Sequence, residues 1–211
     1  MTNNLESIYL NILESGNNSQ NLYPVLSFYS NSFGFQKPFK YQIQLLVPDM
    51  LDWEIIRIHM AELSWKVDQK TYYARGFISQ MTLSEPLNSL LNYSLTLRSP
   101  LFPLLLNQHN RTWVHQNISC VIQDIFKKYP WIHYRFECKD LSISPLITQY
   151  NQTDFDCLKQ ILLKNQLFYY WEFSQDSTRL VISDHFPQEP VKFLKKVRPS
   201  GLVHATNEII E

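Results

Sequence analysis

The hydrophobic period of the chain changes several times, and each change marks an element. Asn4 to Glu14 places Leu5, Ile8, Tyr9, Ile12 and Leu13 on one side of a 3.6-residue repeat. That spacing predicts a helix, ended by Gly16 and the Asn/Ser/Gln run behind it. From Pro24 the period is two. Phe39, Tyr41, Ile43, Leu45 and Val47 alternate with Lys40, Gln42 and Gln44, broken only by Leu46. Leu91, Tyr93, Leu95 and Leu97 alternate with Asn92, Ser94, Thr96 and Arg98 without a fault. Such alternation buries one face of a sheet and leaves the other wet. Ile56 to Met60 and Tyr72 to Met81 read as further strands between these two. Strands in succession, separated by Pro, Asp, Asn or Ser, predict a barrel or sandwich.

Pro100 and Pro103 interrupt the pattern, and helical spacing returns. Asn117 is an expected N-cap, followed by an apolar stripe of Ile118, Val121, Ile122, Ile125, Phe126 and Tyr129 that Pro130 stops. Burying six such side chains contributes on the order of 10 kcal/mol. Ordering the helix backbone costs about as much, at roughly 1–2 kcal/mol per residue, so this helix is expected only when docked. Ile132 to Cys138 alternates again. A second helix is expected from Thr153, with Asp156 at capping-box spacing and Phe155, Leu158 and Leu162 as its buried face. Leu167 to Phe173 and Arg179 to Ser183, joined through Gln175-Asp176-Ser177, read as a hairpin. The fold class that follows is α+β and mainly β, a β-barrel with helices inserted near 117–129 and 153–165.

Composition narrows the function classes. Across 211 residues, 45% are hydrophobic and 18% charged, which favours a packed body over disorder. The 19 basic and 19 acidic side chains cancel. A protein holding a phosphate backbone needs a surplus of Lys and Arg, so nucleic acid is not an expected partner. The three cysteines, Cys120, Cys138 and Cys157, contain no Cys-x-x-Cys pair and are expected as reduced thiols. The first residues lack the charge and apolar core of a secretion signal, and no apolar run is long enough to span a bilayer. The expected location is the cytoplasm, with no direct membrane insertion.

Candidate chemistry is sparse. Four scattered glycines build no phosphate loop or dinucleotide fingerprint, and the six histidines show no ligand spacing. No cofactor, metal or catalytic residue is assigned, and an enzyme is not expected. His59 and His133 are expected at solvent-facing strand positions. Asp154 and Asp156 are paired carboxylates at a helix start, where the helix dipole and capping account for both more simply than acid–base chemistry. Trp113, Trp131 and Trp171 are candidates for stacking peptide or glycan on a barrel face, set against a core or interface role. Lys192, Lys195, Lys196 and Arg198 read as a solvated linker.

An ordered set of segments is more specific than any single motif. Pro38-Phe39-Lys40-Tyr41-Gln42-Ile43-Gln44-Leu45-Leu46 is similar to the "PFRYEIELLS" strand of VgrG proteins, the spike-tip proteins of type VI secretion. Arg75-Gly76-Phe77-Ile78 sits at that family's "HGIV" strand, Tyr93–Arg98 at its "YRLTLEP" strand, and Trp113–Phe126 at its "FQDKTVPEIIEEVL" helix. Gln149–Leu158 is close to "QYRESDFDFL", Leu167–Glu172 resembles "GIYYYFE", and Arg198–Leu202 resembles "RPASGLV". Arg75 replaces a usual His, Gln166 a usual Gly, and the segment Met1–Gly16 has no counterpart. The structural signature positions of the resemblance are Tyr41, Gly76, Tyr150, Asp154, Phe155 and Leu158.

The resemblance implies the N-terminal phage-hub-like region of VgrG, with the hub proteins of contractile phage tails as the alternative. The implied organisation is a helical extension over 1–23, a hub-like barrel domain over 24–190, and a connector over 191–211 toward a second barrel that is incomplete or absent. A piece of a longer spike protein is expected, without the needle, with a naturally short hub-like protein that caps or adapts a tube as the alternative. The implied partners are two further copies in a homotrimer of the full-length protein, a tail-tube protein, baseplate components and a secreted effector. Passage out of the cell through the injection apparatus is a further implication.

Overall fold

In the computed structural model, the described residues are 5–13, 21–32, 36–67, 70–139, 141–173, 178–186 and 196–197. Six strands form the barrel: β1 (Leu5–Leu13), β2 (Asn21–Ser32), β3 (Lys40–Val47), β4 (Met60–Val67), β5 (Lys70–Leu87) and β6 (Leu90–Arg98). Their order is β1-β4-β5-β6-β3-β2, every pairing is antiparallel, and β2 returns to β1 through Asn21–Pro24. Closure removes the open edges that a sheet would otherwise present. The interior is set by the alternation: Tyr41, Ile43, Leu45 and Val47 of β3 and Tyr93, Leu95 and Leu97 of β6 are all buried.

The N-terminal segment corrects the sequence reading. The expected helical extension is a barrel strand, β1, with Ile8, Leu10 and Ile12 buried and Tyr9 exposed. A nine-residue window holding apolar residues at 5, 8, 9, 10, 12 and 13 satisfies both periods. What selects the strand is the gap between β2 and β4, whose backbone groups β1 pairs on both sides. A second correction concerns 56–60. Residues Trp53–Ile58 form a short helix, α1, because Asp52 caps it by accepting the Glu54 N–H at 2.8 Å. Ile56 is its one buried residue, so the Ile56/Ile58 alternation is coincidental; the strand begins only at Met60. His59 ends this helix with its ring Nδ1 2.8 Å from the Ile55 carbonyl oxygen.

Strands β5 and β6 run past the barrel as an arm. Residues 82–89 are all exposed, and the two-residue turn Asn88-Ser89 has φ of 51° and 65°. Both residues left-handed is the type I′ geometry that matches strand twist. At the other end of β5, Gly76 lets the β6 backbone come close: a Cβ there would lie 1.9 Å from the Arg98 carbonyl oxygen.

The second layer begins with a two-stranded ribbon of β7 (Gln108–Asn117) and β9 (Ile143–Thr153). Each ribbon strand runs directly into a helix, α2 (Ile118–Phe126) and α3 (Asp154–Lys164). A three-stranded sheet follows, with order β10-β11-β8, where β8 (His133–Glu137) lies parallel to β11 (Thr178–Ser183) and β10 (Phe168–Phe173) is antiparallel to it. The last described strand, β12 (Lys196–Val197), pairs with β2 at Phe28 and Tyr29. One contiguous core runs through both layers. Phe39 joins them, with ring centroids 5.6 Å from Tyr41 and 5.1 Å from Trp171.

Both inserted helices start where expected. Asn117 Oδ1 accepts the Ser119 N–H at 2.8 Å, and Thr153 Oγ1 accepts the Asp156 N–H at 3.0 Å. The stripe of α2 is buried from Ile118 to Phe126 as read. On α3 one position differs: Phe155 is only half-buried, while Cys157 and Ile161 join Leu158 and Leu162 in the core. Beyond α3, Gln166 adopts φ 55°, its N–H donates to Leu163 O and the Leu167 N–H donates to Leu162 O. That bond pair is the Schellman stop. Residues 198–202 and most of the basic linker lie outside the described residues.

Candidate contact surface and the buried carboxylate beneath it

The ribbon has two faces. His109, Arg111 and Trp113 of β7 share the inner face with Ile147 and Gln149 of β9. The outer face carries Val114 opposite Leu146, which are 57% and 59% exposed, with Tyr150 at 78% further along β9. Apolar side chains this exposed, on neighbouring strands, mark a contact surface. The Trp113 indole N–H donates to Asp124 Oδ2 at 3.0 Å and so pins the ribbon to α2. A bulge lies between His109 and Arg111, where Asn110 Oδ1 accepts the Asn151 N–H at 2.7 Å.

Under the ribbon lies Asp154, wholly buried at the first turn of α3. Its Oδ1 accepts hydrogen bonds from Gln149 Nε2 at 2.8 Å, from His109 Nδ1 at 3.0 Å, and from the Arg111 guanidinium. Its Oδ2 accepts the Tyr129 hydroxyl at 2.6 Å, and Asn107 Nδ2 donates to that same hydroxyl at 3.0 Å. With Nδ1 of His109 donating to Asp154, Nε2 is left to accept from Lys128 Nζ at 3.2 Å. Burial alone would raise the Asp154 pKa, but donors from Gln149 and Tyr129 and the Arg111 charge hold it below the usual carboxylate range. Burial and the bond to Asp154 push Tyr129 up to about 12. The carboxylate thus ties together β7, β9, α3 and the end of α2. Among the described residues, three donors reach Oδ1 and one reaches Oδ2.

The signature positions scatter across the molecule. Tyr41 is inside the barrel, in edge contact with Phe28 at 5.6 Å, and Gly76 sits against β6. Leu158 is core, Phe155 half-buried beside it, and Tyr150 stands on the outer ribbon face. The structure brings only Asp154, Phe155 and Leu158 together, on one helix. Arg75 ties β5 to β4 and β11: its Nε donates to Glu62 Oε2 at 2.5 Å and its N–H to Thr178 Oγ1 at 2.8 Å. Trp171 is buried, and Trp113 and Trp131 pack against the core, so the three line no common groove. Cys157 is buried and pushed up to about 11 by desolvation, Cys138 is half-buried, and Cys120 is exposed. His133 is exposed, as expected. Sequence reading missed His109, Arg111, Tyr129 and Gln149 as partners of Asp154; the one available signal was polar residues alternating inward on β7.

A closed six-stranded barrel carrying a ribbon, two docked helices and a small second sheet defines a structural module built on contact surfaces. Comparison with known proteins agrees. The phage tail baseplate hub (GPD) family matches residues 34–206, and the chain belongs to that family. Among solved structures, the Escherichia coli c3393 protein, a component of the type VI secretion system with structural similarity to the T4 tail proteins gp27 and gp5, aligns with TM-score 0.69 at 16% identity. That alignment covers 83% of this chain and 48% of c3393. A chain of the half-lidded Francisella PdpA–VgrG complex aligns with TM-score 0.62 at 10% identity, covering 87% of this chain and 32% of that one. The 43 kDa tail protein of prophage MuSo2 from Shewanella oneidensis aligns with TM-score 0.57 at 10% identity, covering 84% and 55%. No curated protein matches the sequence. The chain spans 48% of c3393, 32% of the Francisella chain and 55% of the MuSo2 tail protein, and β1, which closes the barrel, precedes the family match.

Proposed function

We propose that this chain is a hub component of a contractile injection machine, a VgrG-like platform of a type VI secretion spike. The hub-family match over 34–206 carries this reading, and a phage-tail baseplate hub is the alternative that the same match supports. The role is structural. In the full-length protein the hub binds two further copies as a homotrimer and seats on a tail-tube protein and baseplate components, with a secreted effector as a further partner. Assembly takes place in the cytoplasm, and the hub leaves with the spike. The outer ribbon face around Val114, Leu146 and Tyr150 supplies a contact with one of these neighbours.

The experiment is a measurement of mass by light scattering on the chain alone and with a tail-tube protein of a type VI secretion system. A trimer, or a stable hub–tube complex, is expected. Val114→Glu with Leu146→Glu should lower association at least ~10-fold while leaving the melting temperature within a few degrees, since both side chains are already exposed. A chain that stays monomeric and ignores the tube protein would sink the reading.

A further inference from the structure

The ribbon is two strands wide, so β9 pairs with β7 along one edge only. Along the other edge, among the described residues, no backbone hydrogen bond reaches 144–148; the Leu146 carbonyl accepts the Ser144 hydroxyl at 3.3 Å. Pro145 lies within this strand, and proline inside a sheet belongs to edge strands. A cavity of about 200 Å³ is lined by Leu146, Ile147 and Thr148 and by no residue of β7. Successive side chains of a strand point to opposite faces. A space that touches all three therefore lies beside β9, along its free edge, and not on either face of the ribbon.

The opposite wall is α3. Cys157, Gln160, Ile161 and Lys164 face the cavity at spacings of three, four and seven, which is one stripe of a helix. Cys157 and Ile161 are buried, and with Ile118 at the start of α2 they give the space an apolar floor. Lys164 is its one charged lining residue, exposed in the last turn of α3, and among the described residues it forms no ion pair. An open strand edge beside a helix is an arrangement that takes an extended peptide by strand addition. Three features select that occupant. The unpaired N–H and C=O groups of an edge are a template for a further strand. The volume is below the usual range for drug-sized ligands, roughly 300–1,000 Å³, and suits one side chain projecting from such a strand. The unpaired cation at the rim favours an acidic residue on it.

We propose that an extended segment of a partner protein pairs with the free edge of β9 as a third strand of the ribbon. One apolar side chain of that segment enters the cavity over Ile118, Cys157 and Ile161, and an acidic side chain on the same face reaches Lys164. The groove borders the outer ribbon face along β9, but its lining includes neither Val114 nor Tyr150. Strand addition is read on the single chain, without a trimer or a tube protein, so its failure and that of the hub reading are separate results.

The probe is the peptide acetyl-Thr-Ile-Thr-Glu-Thr-Ile-Thr-amide, in which the isoleucines and the glutamate share one face of an extended strand. It is titrated into the full chain and followed by NMR. Saturable binding with a Kd of about 1 mM or tighter is expected, with shifts centred on 144–148 and α3. The same peptide with every backbone amide methylated has no donor for the strand edge and should bind at least ~10-fold more weakly. Replacing its glutamate by lysine should weaken binding about 3-fold, and Lys164→Glu, an exposed change, should reverse that preference. Equal binding of the methylated peptide, an unreversed charge preference in Lys164→Glu, or no saturation below about 10 mM would each overturn the proposal. The last is the result to expect if another part of this chain already lies in the groove.

Discussion

Asp154 shows how far a single residue can be read before the fold is known. Its place at the first turn of a helix, and the cap made by Thr153 with Asp156, follow from spacing. Its burial does not. The donors that hold it come from positions 109, 111, 129 and 149, and only the β7–β9 register brings them together. A buried carboxylate stripped of one partner leaves the others exposed to the same low dielectric. Asp154→Asn should therefore cost about 3 kcal/mol in urea denaturation at neutral pH, since Arg111 loses its counter-charge while largely buried. The folded pKa of Asp154 is lowered, so its contribution is whole above about pH 4 and is lost as pH falls through the folded value. The variant should accordingly show a flatter acid limb in a stability–pH profile. An unchanged limb would mean that other carboxylates carry the acid response.

At the scale of elements, period and caps predicted most of what forms. The alternating segments became β3 and β6, and α2 and α3 begin at Asn117 and Thr153. Two short windows, 4–14 and 56–60, were misassigned because both periods fit the same residues, and the ribbon strands β7 and β9 were not anticipated. In the two windows the neighbours decided: open backbone on β2 and β4 in the first case, the Asp52 cap in the second. The end of α3 offers an element-scale test. Gln166 holds a left-handed conformation that costs a residue with a Cβ roughly 1–2 kcal/mol, in a Schellman motif whose bonds are both formed. Gln166→Gly should raise stability by about 1 kcal/mol, visible as a higher melting temperature. A lower melting temperature would show that the Gln side chain does something its backbone does not.

For the whole molecule, closure of the barrel is the feature with most consequence. A dispensable extension before residue 24 could be removed without penalty. As strand β1, with Leu10 fully buried and both edges paired, it cannot. Deleting residues 1–13 should leave β2 and β4 as open edges and expose Leu63 and Phe28 from the core. The expected outcome is loss of the cooperative thermal transition by circular dichroism, or an insoluble chain. A truncated protein that melts cooperatively within a few degrees of the parent would restore the view of residues 1–23 as an appendage. The ribbon, by contrast, is attached through α2 and α3 and keeps its apolar outer face exposed. A rigid barrel behind an exposed contact face is the division of labour a hub requires.

By itself the sequence determined the mainly β character, the strands with faultless alternation, the two capped helices, and, through an ordered set of segments, the hub family. These are local properties: period two, period 3.6 and cap chemistry act within a few residues and are legible there. The tertiary structure decided what depended on distant neighbours. It made the N-terminal segment a barrel strand, gathered four donor side chains from β7, β9 and the turn after α2 around Asp154, and set Lys40 beside Arg98. The physical reason is common to all three. Backbone pairing, burial and charge proximity depend on register, and register exists only once the sheets have closed.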